Sequence, residues 1–378
     1  MAEDARMRKL KIIVVAGARP NFMKVGPLLK QISAYNSIKE PAALTVEALL
    51  VHTGQHYDAN MSEVFFRELG IRPPDVNLGV GSGSHATQTA KILTGFETVC
   101  EREKPDWVVV VGDVNSTMAC ALVCAKMGIR IAHIEAGLRS YDRTMPEEIN
   151  RIVTDTLADL LLTPSRDANE NLMHEGIPGE KIKFVGNIMI DSLIESLPKT
   201  RSLDTLARLG LEPGRFVYVT LHRPSNVDGR TNLSTIMSGL EHFSQDLPVV
   251  FPIHPRTRKN LTEFGLTPRP EGRLLLMEPI GYLESLCLTE NARLVLTDSG
   301  GLQEEATFFR TPCLTLRPTT ERPVTVTMGS NRLTKFDSLI DDVSAVLDGP
   351  QRTGQIPPLW DGHTAKRVLE HLLAASVG

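Results

Sequence analysis

The sequence lacks a long apolar run, an excess of either charge and any paired-cysteine motif. No stretch approaches the roughly 18 consecutive apolar residues of a membrane-spanning helix. Met1 to Lys11 is charged and leads directly into a strand-like segment, without the apolar centre of a signal peptide. Neither secretion nor membrane insertion is expected. Lys and Arg number 41 against 45 Asp and Glu, a formal net charge of −4, so the overall basic footprint of a nucleic-acid binder is absent, although a neutral total leaves room for a local cationic pocket. The cysteines, Cys100, Cys120, Cys124, Cys287 and Cys313, are odd in number and none forms a CxxC pair. A chain of this size is stable without staples, so a reduced, cytoplasmic protein is expected.

What is present is an ordinary globular composition, 42% hydrophobic and 23% charged, which excludes disorder, collagen and coiled coil. At roughly 150 residues per domain, 378 residues suggest two domains. In the first half, short apolar runs at Leu10–Val15, Leu44–Val51, Trp107–Val111, Ile131–Ile134, Leu160–Thr163 and Ile182–Val185 read as buried strands. Amphipathic stretches at Asn60–Leu69, Ala86–Glu101, Ser116–Lys126 and Glu147–Ala158 supply the crossover helices that parallel strands need. The pattern pauses over a polar connection, Pro198–Arg215, and restarts at Phe216–Leu221, Val249–Ile253, Arg273–Met277, Ala292–Thr297 and Pro312–Leu316. Two Rossmann-like domains follow, 1–197 and 198–363, with a helix at 364–378 returning to the first. Ligands of such sheets sit beyond the carboxyl ends of the strands, which directs attention to the residues just after each one.

The first strand leads into Gly17-Ala18-Arg19-Pro20-Asn21-Phe22-Met23-Lys24, a glycine turn opening a helix where free N–H groups and Arg19 suit an anion. A plain βα turn with a solvent-facing arginine is the bland alternative, and one glycine falls short of GxGxxG, so a nicotinamide cofactor is not supported. Gly81-Ser82-Gly83-Ser84 reads as a loop. Asp113 follows the Trp107–Val111 strand and Glu135 follows Ile131–Ile134, each placed to act as an acid/base group or simply to cap a helix. Pro146-Glu147-Glu148 opens the next helix, where at most one glutamate is expected to face the cleft while the other faces the helix N-terminus. Three acidic candidates from neighbouring strand ends, with arginines between them, favour chemistry over capping. In the second half, His222-Arg223 and His254-Pro255-Arg256 each follow a strand. His133 and Glu135 lack HExxH spacing and no Cys/His cluster offers four ligands, so no metal is expected. The strongest local signal is Thr297-Asp298-Ser299-Gly300-Gly301-Leu302-Gln303-Glu304-Glu305: a strand turns through Ser-Gly-Gly into a helix whose unpaired N–H groups suit a nucleotide diphosphate, with a carboxylate further in to meet a sugar hydroxyl.

These segments, together with His52-Thr53-Gly54-Gln55-His56, His133-Ile134-Glu135-Ala136-Gly137-Leu138-Arg139, Pro146-Glu147-Glu148-Ile149-Asn150-Arg151, Val185-Gly186-Asn187 and Thr320-Glu321-Arg322-Pro323, resemble the non-hydrolysing UDP-N-acetylglucosamine 2-epimerases over nearly the whole chain. The resemblance implies an α/β protein of two Rossmann-like domains in a GT-B-like arrangement, a UDP-sugar in the interdomain cleft, and a homodimer without metal or redox cofactor. It implies interconversion of UDP-GlcNAc and UDP-ManNAc through loss of UDP to 2-acetamidoglucal. By motif position it assigns Asp113, Glu135 and Glu147 as acid/base groups and places His222 near the diphosphate. Arg19, Lys24, Arg139, Ser299, Gly300, Gly301 and Glu305 would contact the substrate, with Glu305 at the ribose. Gln55, His56 and His254 match an activator site of some bacterial members. Gln55-His56-Tyr57-Asp58 and His222-Arg223-Pro224-Ser225 depart from those members, so activator dependence is not implied as firmly as the chemistry. The rival readings are a 2-epimerase of a UDP-2,3-diacetamido uronic acid, a hydrolysing epimerase releasing ManNAc, a glycosyltransferase of the same fold, and a silent nucleotide-sugar sensor.

Overall fold

A computed structural model describes residues 9–38, 44–54, 70–267, 272–350 and 352–377. The chain divides into two compact units, Met1–Ser192 with Pro358–Gly378, and Leu193–Pro357. Among the described residues the first holds seven parallel strands in the order β3-β2-β1-β4-β5-β6-β7. They are β1 Lys9–Ala16, β2 Thr45–His52, β3 Val76–Asn77, β4 Trp107–Val111, β5 Arg130–Ile134, β6 Leu160–Thr163 and β7 Ile182–Phe184. The second holds six parallel strands, ordered β10-β9-β8-β11-β12-β13. These are β8 Val217–Thr220, β9 Val249–Pro252, β10 Leu274–Met277, β11 Leu294–Thr297, β12 Cys313–Leu316 and β13 Asn331–Thr334. Both orders are the doubly wound one, which reverses direction between β1 and β4 and again between β8 and β11.

Physical chemistry accounts for the pattern. Val108 to Val111 and Leu160 to Thr163 are buried throughout, because helices cover both faces of a parallel sheet and leave no alternating polar face. Helix boundaries follow their caps. Ser84 caps the helix His85–Glu103 by accepting from the Thr87 amide at 3.2 Å, and Gly128, at φ +69°, ends the helix Asn115–Met127. Residues from these two helices and the first sheet, including Cys100, Cys120 and Cys124, form one core. All five cysteines are free and buried.

Where sequence patterning and structure differ, the reasons are local. The stretch expected to be a polar connection contains the end of the helix Ile188–Arg201 and the short helix Thr205–Leu209. Pro198 lies inside the first of these, so its presence gives a misleading breaker signal. β3 has only two residues and β13 is half exposed, leaving neither an apolar run to detect. The expected helix Asn60–Leu69 lies outside the described residues.

The C-terminal helix Thr364–Val377 packs on the helix Arg19–Ile38 of the first unit. Its N-terminal amides, Thr364 at 3.2 Å and Ala365 at 2.8 Å, donate to the Asp191 carboxylate, and the Trp360 indole donates to the Pro164 carbonyl at 3.1 Å. Gly186, at φ +93°, lies so close that a Cβ there would strike the Leu359 carbonyl. Gly186→Ala is therefore expected to destabilise the first unit by about 2 kcal/mol or more, because a left-handed backbone is strained for alanine and the clash is with main chain. Thermal or urea unfolding measures it, and an unchanged midpoint would contradict this packing.

Candidate active site

The turns after β1, β4 and β5 assemble one polar cluster. Asn21 organises the first: its Oδ1 accepts from the amides of Gly17 (3.1 Å) and Ala18 (2.8 Å), and its Nδ2 donates to the Val111 carbonyl (3.2 Å) at the tip of β4. Lys24, one helical turn onward, forms a buried ion pair with Glu135. Glu135 adopts φ +67°, an uncommon left-handed conformation for a residue with a side chain. Its Oε1 is buried without a hydrogen-bond partner while its Oε2 faces Lys24. Gly112, at φ +67°, sits against both; a Cβ there would lie 3.0 Å from the Lys24 ammonium and 3.3 Å from the Glu135 carboxylate.

Asp113 follows Gly112 and is partly exposed, its carboxylate gripped by Arg151 at 3.0 Å (Nε) and 2.6 Å. Of the two glutamates opening the helix Pro146–Leu157, Glu148 turns inward. It accepts from the Ser140 amide (2.9 Å) and hydroxyl (3.0 Å) and the Tyr141 amide (2.8 Å), and it pairs with Arg151 at 2.6 Å. Glu147 is half-buried and makes no hydrogen bond or ion pair among the described residues. One of the pair thus builds the loop and the other is left available.

A second carboxylate lies beneath this cluster. Asp155 Oδ1 meets His133 Nδ1 at 2.6 Å, and Oδ2 accepts from the Gly137 amide at 3.1 Å and pairs with Arg139 at 2.7 Å. Burial by itself would raise this carboxyl, but the charge and hydrogen bond of His133, joined by the Arg139 guanidinium, outweigh it and hold the group below its ordinary value. Arg139 is expected from sequence to touch substrate. Its guanidinium is instead buried and committed on both edges, to Asp155 and, through Nε (2.7 Å) and a terminal nitrogen (2.6 Å), to Glu175.

In the second unit the same logic centres on Asp298, fully buried after β11. Its carboxylate accepts from the amides of His222 (3.0 Å) and Arg223 (2.9 Å) and from Asn226 Nδ2 (2.9 Å), and it meets His222 Nδ1 at 3.0 Å. Burial would push this carboxyl up, yet His222 and the surrounding donors bring it below its usual value. The His222 side chain is 58% exposed, so its other nitrogen points away from the anchor. His222 and His254 also line a pocket of ≈ 200 Å³ with Tyr218, Thr220, Pro279 and Ser285. His254 caps its own helix, its Nδ1 accepting from the Arg256 amide at 3.3 Å.

Ser299 precedes the helix Gly300–Phe309 and its side chain makes no capping hydrogen bond. The first-turn amides have no intrahelical acceptor, so this N-terminus favours an anion. A Cβ at Gly300 would come within 2.6 Å of the Arg322 guanidinium and 2.8 Å of the Glu321 carboxylate, so a side chain there would displace this ion pair. Arg322 pairs with Glu321 and, at 2.8 Å, with Glu304; Arg317 pairs with Glu321 at 2.9 Å. Glu305 is buried beside them, and burial, reinforced by Glu304, raises its carboxyl to about 8.

Most of the sequence candidates can now be placed. Lys24, Asp113, Glu135 and Glu147 belong to the first unit's strand-end segments, and His222, His254, Ser299, Gly300, Gly301 and Glu305 belong to the second's. Arg19 opens the helix Arg19–Ile38, but its side chain lies outside the described set, as do Gln55 and His56. Sequence reasoning assigns no anchoring role to Asp155, Asp298, Arg151 or Asn226. Asp298 stood inside the quoted Ser-Gly-Gly motif, and its place at a strand tip was the available signal. Asp155, in the last turn of its helix, offers no such signal. Among the described residues, no group of three or more His, Cys, Asp or Glu side chains is placed to hold a metal ion, and no helix is long and apolar enough to cross a membrane.

Comparison with known proteins identifies the family. A family model described as UDP-N-acetylglucosamine 2-epimerase matches residues 39–373. A UDP-N-acetylglucosamine 2-epimerase of Methanococcus maripaludis is 40% identical over 368 residues, covering 95% of this chain and 97% of its own. A UDP-2,3-diacetamido-2,3-dideoxy-D-glucuronate 2-epimerase of Pseudomonas aeruginosa is 41% identical, covering 96% and 99%. The crystal structure of the Methanocaldococcus jannaschii UDP-GlcNAc 2-epimerase in complex with UDP-GlcNAc and UDP superposes with a TM-score of 0.84 at 40% identity, over 97% of this chain and 99% of that one. With the family model spanning most of the chain and a relative 40% identical over nearly all of it, this protein belongs to the UDP-N-acetylglucosamine 2-epimerase family of isomerases.

Proposed function

We propose that the chain interconverts UDP-GlcNAc and UDP-ManNAc, the first unit supplying the proton-transfer groups and the second the diphosphate-binding helix. The hydrogen at C2 of the sugar is not alpha to a carbonyl and is too weakly acidic to be removed alone at neutral pH. Its removal becomes feasible when UDP leaves C1 in the same event, giving 2-acetamidoglucal and UDP. A proton delivered to the opposite face of C2 and return of the UDP oxygen to C1 then complete the inversion. The helix N-terminus at Ser299 to Gly301 stabilises the negative charge that develops on the departing diphosphate, with His222 as a further donor. The observation that supports this reading best is the state of Glu135: one oxygen is held by Lys24 and the other is buried without a partner. That leaves an acceptor ready for a proton, with Asp113 and Glu147 as the remaining acid/base candidates.

A second reading has a specific observation behind it. The Pseudomonas aeruginosa relative named for a diacetamido glucuronate is as similar as the relatives named for UDP-GlcNAc, so the sugar that turns over fastest is decided by incubating the chain with each UDP-sugar and following the products by NMR. Formation of UDP-ManNAc supports the first reading. Turnover of the uronate alone supports the second, and free ManNAc would mark a hydrolysing enzyme. A cytoplasmic setting is supported by five buried free thiols, and a homodimer and an activator subsite involving His254 rest on the family resemblance.

Two sets of variants test the assignments. Asp113→Asn, Glu135→Gln and Glu147→Gln are each expected to retain UDP binding while losing turnover, and exchange of solvent deuterium into C2, by on the order of 10²-fold or more. Near-normal rates in all three would remove their proposed role. Glu305 supplies a pH test. With its carboxyl raised to about 8, the group is protonated at pH 7 in the free protein. Ribose hydroxyls donating to it favour the ionised form and lower its pKa, so UDP binding releases a proton and affinity rises with pH up to about 8. Calorimetry in buffers of different ionisation enthalpy counts the proton, and Glu305→Gln is expected to abolish the release. Proton uptake, or no exchange at all in the unsubstituted protein, would contradict the ribose role.

A further inference from the structure

We infer that His133 is a positioning residue for the acid/base carboxylates, carrying hydrogen on both ring nitrogens and fastening together the three segments that bear Asp113, Glu135 and Glu147. The inference rests on the proposed role of those carboxylates.

The geometry is complete within the first unit. His133 sits on β5 with its side chain wholly inaccessible, two residues before Glu135, which opens the turn beyond the strand. Its Nε2 lies 2.8 Å from the Gly112 carbonyl oxygen, which can only accept, so this nitrogen bears hydrogen. Its Nδ1 lies 2.6 Å from Asp155 Oδ1. The other Asp155 oxygen already receives the Gly137 amide and the Arg139 guanidinium, an environment that keeps the carboxylate ionised and therefore an acceptor on the His133 side too. Two acceptors facing one ring require two N–H donors, which only the imidazolium provides.

The polar groups facing the ring come from the turn after β4 and from the helix Pro146–Leu157, with further charged groups beyond them. Gly112 closes the turn after β4, and its own amide donates to the Ile134 carbonyl at 3.0 Å, so both sides of this residue are pinned to β5. Asp155 and Arg151 come from the helix that Glu147 opens, Arg139 and Glu175 complete the charge array, and Lys24 with Glu135 borders Gly112 on its other side. The ring thus ties the backbone just before Asp113 to the strand that delivers Glu135 and to the helix that delivers Glu147. Neutral His133 would leave either the carbonyl or the carboxylate facing a lone pair.

The test uses the full-length protein. Nitrogen-15 NMR of histidine-labelled wild-type chain at assay pH is expected to show directly bonded hydrogen on both His133 ring nitrogens, the Nε2 proton giving an NOE to Gly112 or Asp113. His133→Gln is expected to lower kcat on the order of 10-fold or more while KM for the nucleotide sugar stays within about threefold, since displaced catalytic groups weaken the reacting geometry more than substrate affinity. A bare lone pair on either ring nitrogen in wild-type protein overturns the inference, and that readout stands even if the variant does not fold. A folded His133→Gln with wild-type kcat overturns it as well. Failure of the carboxylate reading is separately visible, because Asp113→Asn would then turn over normally whatever the state of His133.

Discussion

The contact on which the first unit's site depends is the Asp155 carboxylate with its partners His133, Gly137 and Arg139. A carboxylate this deeply buried is unfavourable unless opposite charge and hydrogen bonds surround it, and the partners that satisfy it lie on β5 and in the turn beyond. From there the order propagates through His133 to Gly112, hence to Asp113, and through Gly137 and Arg139 to the turn in which Glu135 is held at positive φ. Removing one partner would leave an uncompensated charge, so the segments are coupled and their carboxylates are presented in a fixed arrangement. Such preorganisation suits proton transfer at a carbon whose acidity is poor, where misplacement of a base by about an ångström is costly in rate.

The second unit reaches the same end with a different cast. Asp298 gathers His222, Arg223 and Asn226 around one buried carboxylate, fixing the turn after β8 against the turn after β11. These are the two strands flanking that sheet's reversal of order, as β1 and β4 are in the first unit. In the second sheet the buried aspartate stands at the switch point, whereas in the first Asp155 lies behind β5 and reaches the end of β4 through His133; both orient candidate reactive groups. Those groups differ in chemistry: carboxylates in the first unit, and a histidine with a bare helix N-terminus in the second. The division matches a reaction needing proton transfer at one carbon and stabilisation of a diphosphate leaving from its neighbour.

Much of this was legible in the sequence because the signals were local. Runs such as Trp107–Val111 and Leu160–Thr163 match β4 and β6 to the residue, since a strand buried on both faces has to be apolar throughout. Asp113, Glu135 and Ser299 stand out as candidates because ligands of doubly wound sheets sit beyond the strand ends, and each of the three does follow a strand. Arg139 shows the limit: at a strand end it has the motif position of a substrate contact, yet long-range pairing with Asp155 and Glu175 withdraws it into the interior. Glu147 and Glu148 show it again, because their different fates depend on the Ser140 and Tyr141 amides and on Arg151. Asp155 could not be singled out, since its partners are brought to it only by the sheet.

The account's central chemical claim is that the bond between C1 and the diphosphate oxygen breaks and re-forms during inversion at C2. The direct measurement places oxygen-18 in that bridging position of UDP-GlcNAc and follows it by phosphorus NMR as the enzyme turns over. Scrambling of the label into the non-bridging positions of the β-phosphate, in recovered substrate as well as in product, is the predicted result. Epimerised product that keeps all of its label in the bridge would contradict it.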